Sequence, residues 1–338
     1  MKHITQEDIA RKLKVSRITV SKALRDHPDI SAAMKTKVLQ TSGEMGYSAN
    51  QIAQQLNSRT TKTIGVIVPD LENSFFSHVV NSMIDAATEK GYQVLLAVSR
   101  ENPDIEKKNI QNLIGKRVDG LLVCLSQQTT DTEIFESVRK MEIPLVFFDR
   151  ALTDSRFSCV VFDDFKGVIQ AIDQLVIAGF TRIAHLAGYS AASVGRKRLL
   201  GFQTAMEKHG LILWKEWIIE GGYEVNHGYD SFMQLHKRGN LPEIVLTVND
   251  RVALGVYKAC RELGLRIPQD IGVAGFGFPE ITEMFSPPLS VISQDPRLMG
   301  KTAVERLIRE IQSEFIMQAE ELVLSGEFNW NSSLKFKR

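Results

Sequence analysis

The 338-residue chain is predicted to be an α/β protein with a small all-helical head at its N-terminus. Three observations predict this fold class. Residues 5–46 contain three short stretches in which apolar residues recur at helical spacing. From residue 64 onward, apolar runs alternate with helix-period segments, the pattern of open, doubly wound parallel sheets. The alternation restarts near residue 160, which indicates two such lobes.

The head begins with two short helices separated by a tight turn. Thr5 can cap the first helix and Ser16 the second, since both side chains accept hydrogen bonds from backbone amides. In the second helix one side is apolar, with Val20, Ala23 and Leu24. The other side carries cations and one lone aliphatic residue: Arg17, Ile18, Lys22 and Arg25. This pattern is typical of a helix-turn-helix whose second helix enters a DNA major groove, the alternative being a three-helix bundle with a solvated basic face.

A third helix completes the head. Ser31 can cap it, its core side is predicted to be Val38, Leu39 and Met45, and it ends near Gly43 or Gly46.

Charge divides the chain in the same way. The chain as a whole has a formal net charge of +1, but residues 1–60 carry ten Lys or Arg against five Asp or Glu. The rest of the chain is mildly acidic. A basic head on an acidic body suits a module that meets a polyanion while its body does not.

The composition gives no support to several other classes of protein. The three cysteines, Cys124, Cys159 and Cys260, are widely spaced and are expected to be buried free thiols. The histidines lack metal-ligand spacing, so neither a metal nor a cofactor is expected. We see no signal peptide and no apolar run long enough for a membrane span, so a cytoplasmic protein is expected.

Beyond residue 63 the predicted strands are almost continuously apolar, as parallel strands buried on both faces require. The predicted strands are Ile64–Val68, Gln93–Val98, Leu121–Leu125, Leu145–Phe148, Val160–Phe162, Ile183–Ala187, Trp217–Ile219, Ile244–Thr247 and Ile271–Ala274. Helices are expected at about 75–90, 104–115, 132–141 and 297–313. Several helices should end at a glycine C-cap, namely Gly91, Gly179, Gly210 and Gly264.

Five motifs in order resemble the lactose-repressor/galactose-repressor family of bacterial transcription factors. They are Ile4 to Leu24, Tyr47 to Leu56, Asp70 to Phe76, Arg117 to Gly120, and Val291 to Pro296. The resemblance implies a helix-turn-helix domain at 1–48, a hinge helix and linker at 49–62, and a periplasmic-binding-protein-like core at 63–338. It implies that the chain crosses between lobes three times, with lobe 1 at about 63–160 plus 295–323 and lobe 2 at about 164–290 plus 326–338.

The resemblance places base-reading residues at Arg17, Ile18 and Lys22 of this sequence. Arg and Lys can donate to guanine O6 and N7, and Ile18 can pack on a thymine methyl group. Ser16 and Thr19 are included among the expected DNA contacts. The alternative is that Arg17 and Lys22 contact phosphates alone, which would position the protein without reading sequence.

The resemblance also implies a hinge helix from Asn50 to Leu56. Asn50 can cap this helix, Ala53 is small enough to pack against a second copy, and Leu56 can wedge between base pairs in the minor groove. Such a short helix is unstable alone, so it should fold only with DNA and a partner hinge, and an inert linker is the alternative. A homodimer on a near-palindromic operator is therefore expected.

Effector-binding residues are expected where predicted strands end, because open α/β sheets bind ligands at the carboxyl ends of their strands. By resemblance these residues are Phe75, Phe76, Asp149, Arg198, Tyr223, Asn249 and Gln294. The alternative for each residue is a purely structural role: the two phenylalanines could belong to the core, and Asp149 and Asn249 could cap loops.

Family members usually carry one or two aspartates after the strand that here ends near Gly275. This chain has Phe276 to Glu280 there instead, with Gly277 and no aspartate. Asp149 would then be the main acid, unless Glu280 replaces the missing one. An Arg198 fork with few acids favours a carboxylate or phosphate, so an acidic or phosphorylated sugar is the hypothesis and a neutral sugar the alternative.

The leading interpretation is thus a ligand-responsive DNA-binding regulator, most simply a repressor, and not an enzyme. A solute-binding transport protein would fit the core but leaves the head unexplained. Two enzyme signals fail: Gly188–Ala192 lacks the last glycine of a nucleophile elbow, and Gly275–Glu280 has Glu280 in place of the third glycine of a dinucleotide fingerprint.

Overall fold

The structure, a computed structural model, describes residues 4–47, 60–152 and 156–335. The chain divides after Thr61 into two compact units, a head and a core. The described residues of the head form three helices, α1 (Gln6–Leu13), α2 (Arg17–Leu24) and α3 (Ala32–Glu44). The predicted N-caps are confirmed, because the hydroxyl groups of Thr5, Ser16 and Ser31 each accept a hydrogen bond from a backbone amide of the helix that follows.

One predicted core residue of the head is wrong. Val38 is fully buried, but Leu39 is 57% exposed. The buried side of α3 consists of Val38, Thr41 and Ser42, with Met45 half-buried beside them. Residues 38, 41, 42 and 45 follow the i, i+3, i+4, i+7 spacing of one helix face, and Leu39 is rotated about 100° from Val38, away from that face. Two small polar residues complete the contact face in its place.

Truncating these two neighbours should therefore have unequal effects. We expect Val38→Ala to destabilise the head by about 1–3 kcal/mol, and Leu39→Ala by less than about 0.5 kcal/mol. Hydrogen exchange of the α1 and α3 amides in the full chain measures this. Equal loss of protection in the two variants would contradict the packing described for α3.

The described residues of the core form twelve strands with helices between them. The strands are β1 (Thr63–Val68), β2 (Gln93–Val98), β3 (Gly120–Val123), β4 (Leu145–Phe148), β5 (Ser158–Phe162), β6 (Ile183–Ala187), β7 (Ile218–Glu220), β8 (Ile244–Thr247), β9 (Gly272–Gly277), β10 (Ser290–Ser293), β11 (Glu321–Leu324) and β12 (Phe328–Asn329). The helices are α4 (Ser74–Glu89), α5 (Pro103–Gly115), α6 (Glu133–Lys140), α7 (Asp164–Ile177), α8 (Ser193–Lys208), α9 (Val225–Lys237), α10 (Asp250–Glu262), α11 (Pro279–Thr282) and α12 (Pro296–Gln312), with a 3₁₀ turn at Lys215–Trp217.

The strands form two six-stranded sheets, one in each lobe. The order in the first sheet is β11-β5-β4-β3-β1-β2, and in the second it is β12-β10-β9-β8-β6-β7. All neighbouring pairs are parallel except β10 with β12. The predicted fold class, a helical head followed by two lobes of doubly wound parallel sheet, is confirmed.

The chain passes between the lobes three times. It leaves the first sheet after β5, returns after β10 to form α12 and β11, and then crosses again to add β12 to the second sheet. The four predicted glycine C-caps have positive φ, as a left-handed cap requires: Gly91, Gly179, Gly210 and Gly264. The three cysteines are buried and free. No helix of the described residues is long and apolar enough to cross a bilayer.

Candidate functional site

The outward side of α2 presents a basic and partly apolar surface. Arg17 is exposed, and Ile18 is 69% exposed. Val20 and Ala23 on the opposite side are buried in the head's core. This arrangement leaves Arg17 and Ile18 available to a groove-shaped partner.

Three other predicted DNA contacts are already engaged within the head. The Ser16 hydroxyl group accepts a hydrogen bond from the Thr19 amide at 3.0 Å and lies 2.9 Å from the Thr19 hydroxyl group. The Lys22 ammonium group lies 2.7 Å from the Asp29 carboxylate. Lys22 must therefore leave Asp29 before it can donate to a base. Asn50, Ala53 and Leu56 lie outside the described residues.

In the core, all seven predicted effector residues line one cavity between the lobes. These residues are Phe75, Phe76, Asp149, Arg198, Tyr223, Asn249 and Gln294. They follow strands β1, β4, β6, β7, β8 and β10, so the carboxyl ends of both sheets face the same space. The structure also places Arg150, Asp250 and Phe276 on the wall of this cavity.

Asp149 and Arg150 enter the cavity from the end of β4. Asp149 has a left-handed backbone with φ 57°, which an aspartate tolerates well. Burial raises the pKa of Asp149, although Arg150 and Arg198 act in the opposite direction. The Arg150 guanidinium group is held by both Glu101 oxygens, at 2.9 and 3.0 Å, and its carbon lies 5.0 Å from the centre of the Tyr223 ring. Arg150 is thus a fixed donor stacked on an aromatic wall.

Arg198 is the second buried guanidinium group. Its Nε and Nη2 atoms lie 2.9 and 2.7 Å from the same Asp164 oxygen, and Nη1 donates to the Val248 carbonyl group. The guanidinium carbon lies 3.6 Å from the centre of the Phe276 ring. Burial raises the pKa of Asp164 to about 6, against the influence of Arg198. Asp164 therefore already pairs with the Arg198 fork that was expected to bind an anionic ligand.

Asn249 caps a helix and also lines the cavity. Its side-chain oxygen accepts from the Val252 amide at 2.8 Å and so caps α10, while its amide group donates to the Tyr223 carbonyl group at 2.9 Å. Phe76 is likewise both buried core and cavity wall. Capping and core packing hold these side chains in place at the cavity.

Two buried polar atoms of the cavity wall lack a hydrogen-bond partner among the described residues, Tyr223 Oη and Gln294 Nε2. Burial raises the pKa of Tyr223 to about 12, so its hydroxyl group stays protonated and can donate. Two glycines make room for the ring: a Cβ atom at Gly188 would lie 2.5 Å from the Tyr223 ring, and one at Gly195 would lie 2.7 Å from its hydroxyl oxygen. An unsatisfied buried donor costs stability unless a ligand satisfies it.

The cavity is richer in acids than the sequence indicated. Asp149 is not the main acidic residue of the cavity, as the sequence suggested. Asp164 forms an ion pair with Arg198 of the wall, and Asp250 lines the cavity itself. Glu280 does not replace the missing aspartate: it lies outside the cavity lining and pairs with Arg297 at 2.5 Å. The sequence signal for Asp250 was present, since it directly follows Asn249 at the end of β8.

Contacts between the lobes close the cavity. Arg251 of the second lobe lies 2.9 Å from Asp70 of the first and also pairs with Glu224. The rings of His78 and Phe278 meet across the cleft, with centres 4.9 Å apart. The cavity volume is about 50 Å³. That is room for a few water molecules, so even a monosaccharide requires the lobes to separate somewhat.

Replacing Asp250 by asparagine should change how the core's stability depends on pH. Burial raises the pKa of Asp250 from 3.8 to about 6. The stability that the protonated Asp250 side chain contributes is therefore fully present below about pH 4 and is lost as the pH rises through 6. The free energy of unfolding of the core falls by at most about 3 kcal/mol over this range. Thermal unfolding from pH 4 to 7 should show Asp250→Asn gaining stability relative to the wild type. Parallel pH curves for the two proteins would contradict this.

Comparison with known families gives two matches. Residues 5–50 match the family described as bacterial regulatory proteins, lacI family. Residues 61–323 match the periplasmic binding proteins and sugar binding domain of the LacI family. The two matches together cover the head and almost the whole core, and the first of them leaves the transport-protein alternative without support. In the part of the chain that the structure describes, no cluster of side chains is suited to a metal ion.

Individual relatives match along nearly the full chain. The HTH-type transcriptional repressor PurR of Vibrio vulnificus is 33% identical over 311 residues, which are 92% of each chain. The ribose operon repressor of Escherichia coli K12 is 32% identical, covering 93% of this chain and 95% of its own. A crystal structure of the lac repressor dimer bound to operator and the anti-inducer ONPF superposes with a TM-score of 0.88 at 28% identity, covering 99% of this chain and 100% of that one.

Proposed function

Because the chain belongs to the LacI family of bacterial regulatory proteins and is a ligand-responsive DNA-binding repressor, we propose that its effector is a neutral monosaccharide bound between the two lobes. The observation that carries this proposal is the pair of buried, unpartnered polar atoms, Tyr223 Oη and Gln294 Nε2, on a wall that also holds the Asp149 carboxylate. Sugar hydroxyl groups both donate and accept, so one small ring can satisfy donors and acceptors together.

Charge favours the neutral sugar over the sugar acid. Four carboxylates, those of Glu101, Asp149, Asp164 and Asp250, lie on the wall or are bonded to its cations, against the two guanidinium groups of Arg150 and Arg198. Both guanidinium groups are already paired. An anionic ligand would have to displace one of these carboxylates or lie unpaired in a closed, acidic cavity, which is costly.

Aromatic rings supply the apolar faces that a sugar ring needs. Phe76, Tyr223 and Phe276 line the cavity beside the polar groups. A single ring requires less separation of the lobes than a disaccharide does, which favours a monosaccharide. Ribose operon repressors are among the relatives, at 30–32% identity, so D-ribose is the first sugar to test.

For the head, we propose that Arg17, Ile18 and Lys22 read operator bases, with Ser16 and Thr19 at the backbone. Support comes from the exposure of Arg17 and Ile18 and from the family match over residues 5–50. We propose that two copies act together in the cytoplasm on a near-palindromic operator, since the lac repressor structure is a dimer on its operator. The hinge contacts of Asn50, Ala53 and Leu56 stay predictions.

Calorimetry with matched ligands tests the effector proposal. D-ribose, D-ribonate and D-ribose 5-phosphate differ in charge around one carbon skeleton, and D-glucose and D-galactose extend the neutral arm. We expect a neutral sugar to bind most tightly and, at about 100 times its Kd, to raise the free energy of unfolding by about 2.7 kcal/mol. Tighter binding of the ribonate or the phosphate would contradict the proposal.

A second test uses the variant Tyr223→Phe, which removes one hydroxyl group and keeps the ring. It should weaken the neutral sugar about fivefold or more, since a sugar hydroxyl loses its partner. A gel shift with operator DNA completes the test, because the sugar that binds must also change operator affinity. A sugar that binds without changing operator affinity would not be the effector.

A further inference from the structure

Asp250 carries a buried carboxylate, and no contact within the described residues explains why a charged group is buried at this position. It is the first residue of α10, it lines the cavity, and it is only 8% exposed. Among the described residues, its carboxylate is hydrogen-bonded only to backbone amides, those of Arg251, at 2.8 Å, and of Asp250 itself. Burying a carboxylate with so few partners is unfavourable.

Helix capping does not account for this position. Asn249 already caps α10 through the Val252 amide. An acidic residue in the first turn can favour a helix from the solvent, through the helix dipole, without being buried. Asp250 instead points toward the space between the lobes, where Tyr223 Oη and Gln294 Nε2 also lack partners.

The nearby cations do not account for it either. Arg251, its neighbour on α10, pairs with Asp70 and Glu224, and Arg198 pairs with Asp164. Both guanidinium groups influence Asp250 through space, but neither is hydrogen-bonded to it. The carboxylate therefore keeps acceptor capacity that the protein itself leaves unused.

Gly277 leaves the wall open beside Asp250. A Cβ atom at Gly277 would lie 2.6 Å from the Thr282 methyl carbon and 3.5 Å from the Asp250 Cβ atom. Thr282 is 1% exposed and cannot easily move aside. A side chain at position 277 would crowd this corner of the cavity, whereas glycine leaves the Asp250 carboxylate uncovered.

We infer that Asp250 is a specificity-determining residue that accepts a hydrogen bond from one hydroxyl group of the bound sugar. This inference rests on the proposed function, since it requires a ligand that carries hydroxyl groups. A charged acceptor at a fixed position distinguishes a sugar with a hydroxyl group there from one that lacks it. Asp250 thus selects one position of the ring, while Asp149 approaches from the opposite lobe.

The test compares wild type and Asp250→Asn by calorimetry at pH 7.5 with D-ribose and its 2-deoxy, 3-deoxy and 5-deoxy analogues. Replacing the carboxylate by an amide keeps its size and removes its charge. We expect the Kd for D-ribose to rise about 10- to 100-fold. For one deoxy analogue, which binds the wild type weakly, the same substitution should change the Kd less than about threefold.

Asp270→Asn is the matched control, because Asp270 is an acid of the same lobe that lies outside the cavity and pairs with Arg266 of that lobe. It should leave every Kd unchanged. An unchanged D-ribose Kd in Asp250→Asn, or an equal loss for all four ligands, overturns the inference and leaves the proposed function standing. If D-ribonate binds the wild type more tightly than every neutral sugar does, the proposed function fails and the inference fails with it.

Discussion

Arg198→Met should lower the free energy of unfolding of the core by about 3–5 kcal/mol. Arg198 is 3% exposed, and it is the ion-pair partner of an equally buried Asp164. Removing the guanidinium group leaves that carboxylate buried and unpaired, and it also removes the donor to the Val248 carbonyl group and the stack on Phe276. Urea denaturation measures the loss, with an unchanged slope indicating that the unfolded state is unaffected.

Two further variants identify the cause. Asp164→Asn in the Arg198→Met background should recover part of the loss, because it removes the uncompensated charge. Arg196→Met changes an exposed residue two positions earlier on α8 and should cost less than about 0.5 kcal/mol. If the double variant were as unstable as the single one, lost packing would explain the effect and buried charge would not.

Arg17→Ala should weaken operator binding by about 1–3 kcal/mol if the guanidinium group donates to both acceptors of a guanine. The operator is first selected from random DNA with the wild-type protein, and affinities are then measured on it and on unrelated DNA. Because a base contact carries sequence information and a phosphate contact does not, the loss should be much smaller on unrelated DNA. Binding of both proteins should weaken steeply with salt.

The control variant is Arg11→Ala, which removes one exposed positive charge from α1 and so matches the charge change. It should affect operator and unrelated DNA alike. Lys22→Ala should resemble Arg17→Ala, with the effect reduced by the energy that Lys22 loses on leaving Asp29. Equal losses of Arg17→Ala on both DNAs would show that Arg17 contacts phosphates.

Local patterns predicted most of the fold. Apolar runs buried on both faces, a cap before each head helix and a glycine after four core helices are all properties of neighbouring residues. The errors arose where neighbours compete for one face: Val38 and Leu39 are both aliphatic, and only helix geometry decides which is buried.

The site was predicted less completely, and for a physical reason. The rule that ligands bind at the ends of parallel strands placed seven residues around one cavity. It could not show that Asp164 would meet Arg198, 34 residues away, and occupy its fork. Pairing of distant charges depends on how helices pack, so the balance of charge in the cavity, and with it the preferred ligand, required the structure.

The three crossings between lobes also bear on how the chain is made. The strand β11 covers the free edge of β5. On the ribosome, β5 emerges about 160 residues before β11. This is a delay of roughly 8–30 s at ordinary rates of synthesis. Until β11 is in place, β5 is an exposed apolar edge strand, which can pair with strands of other chains. The helices α1, α2 and α3 of the head lie within the first 44 residues and can fold long before. A nascent chain can thus have its helix-turn-helix in place while the β5 edge of the first sheet is still uncovered.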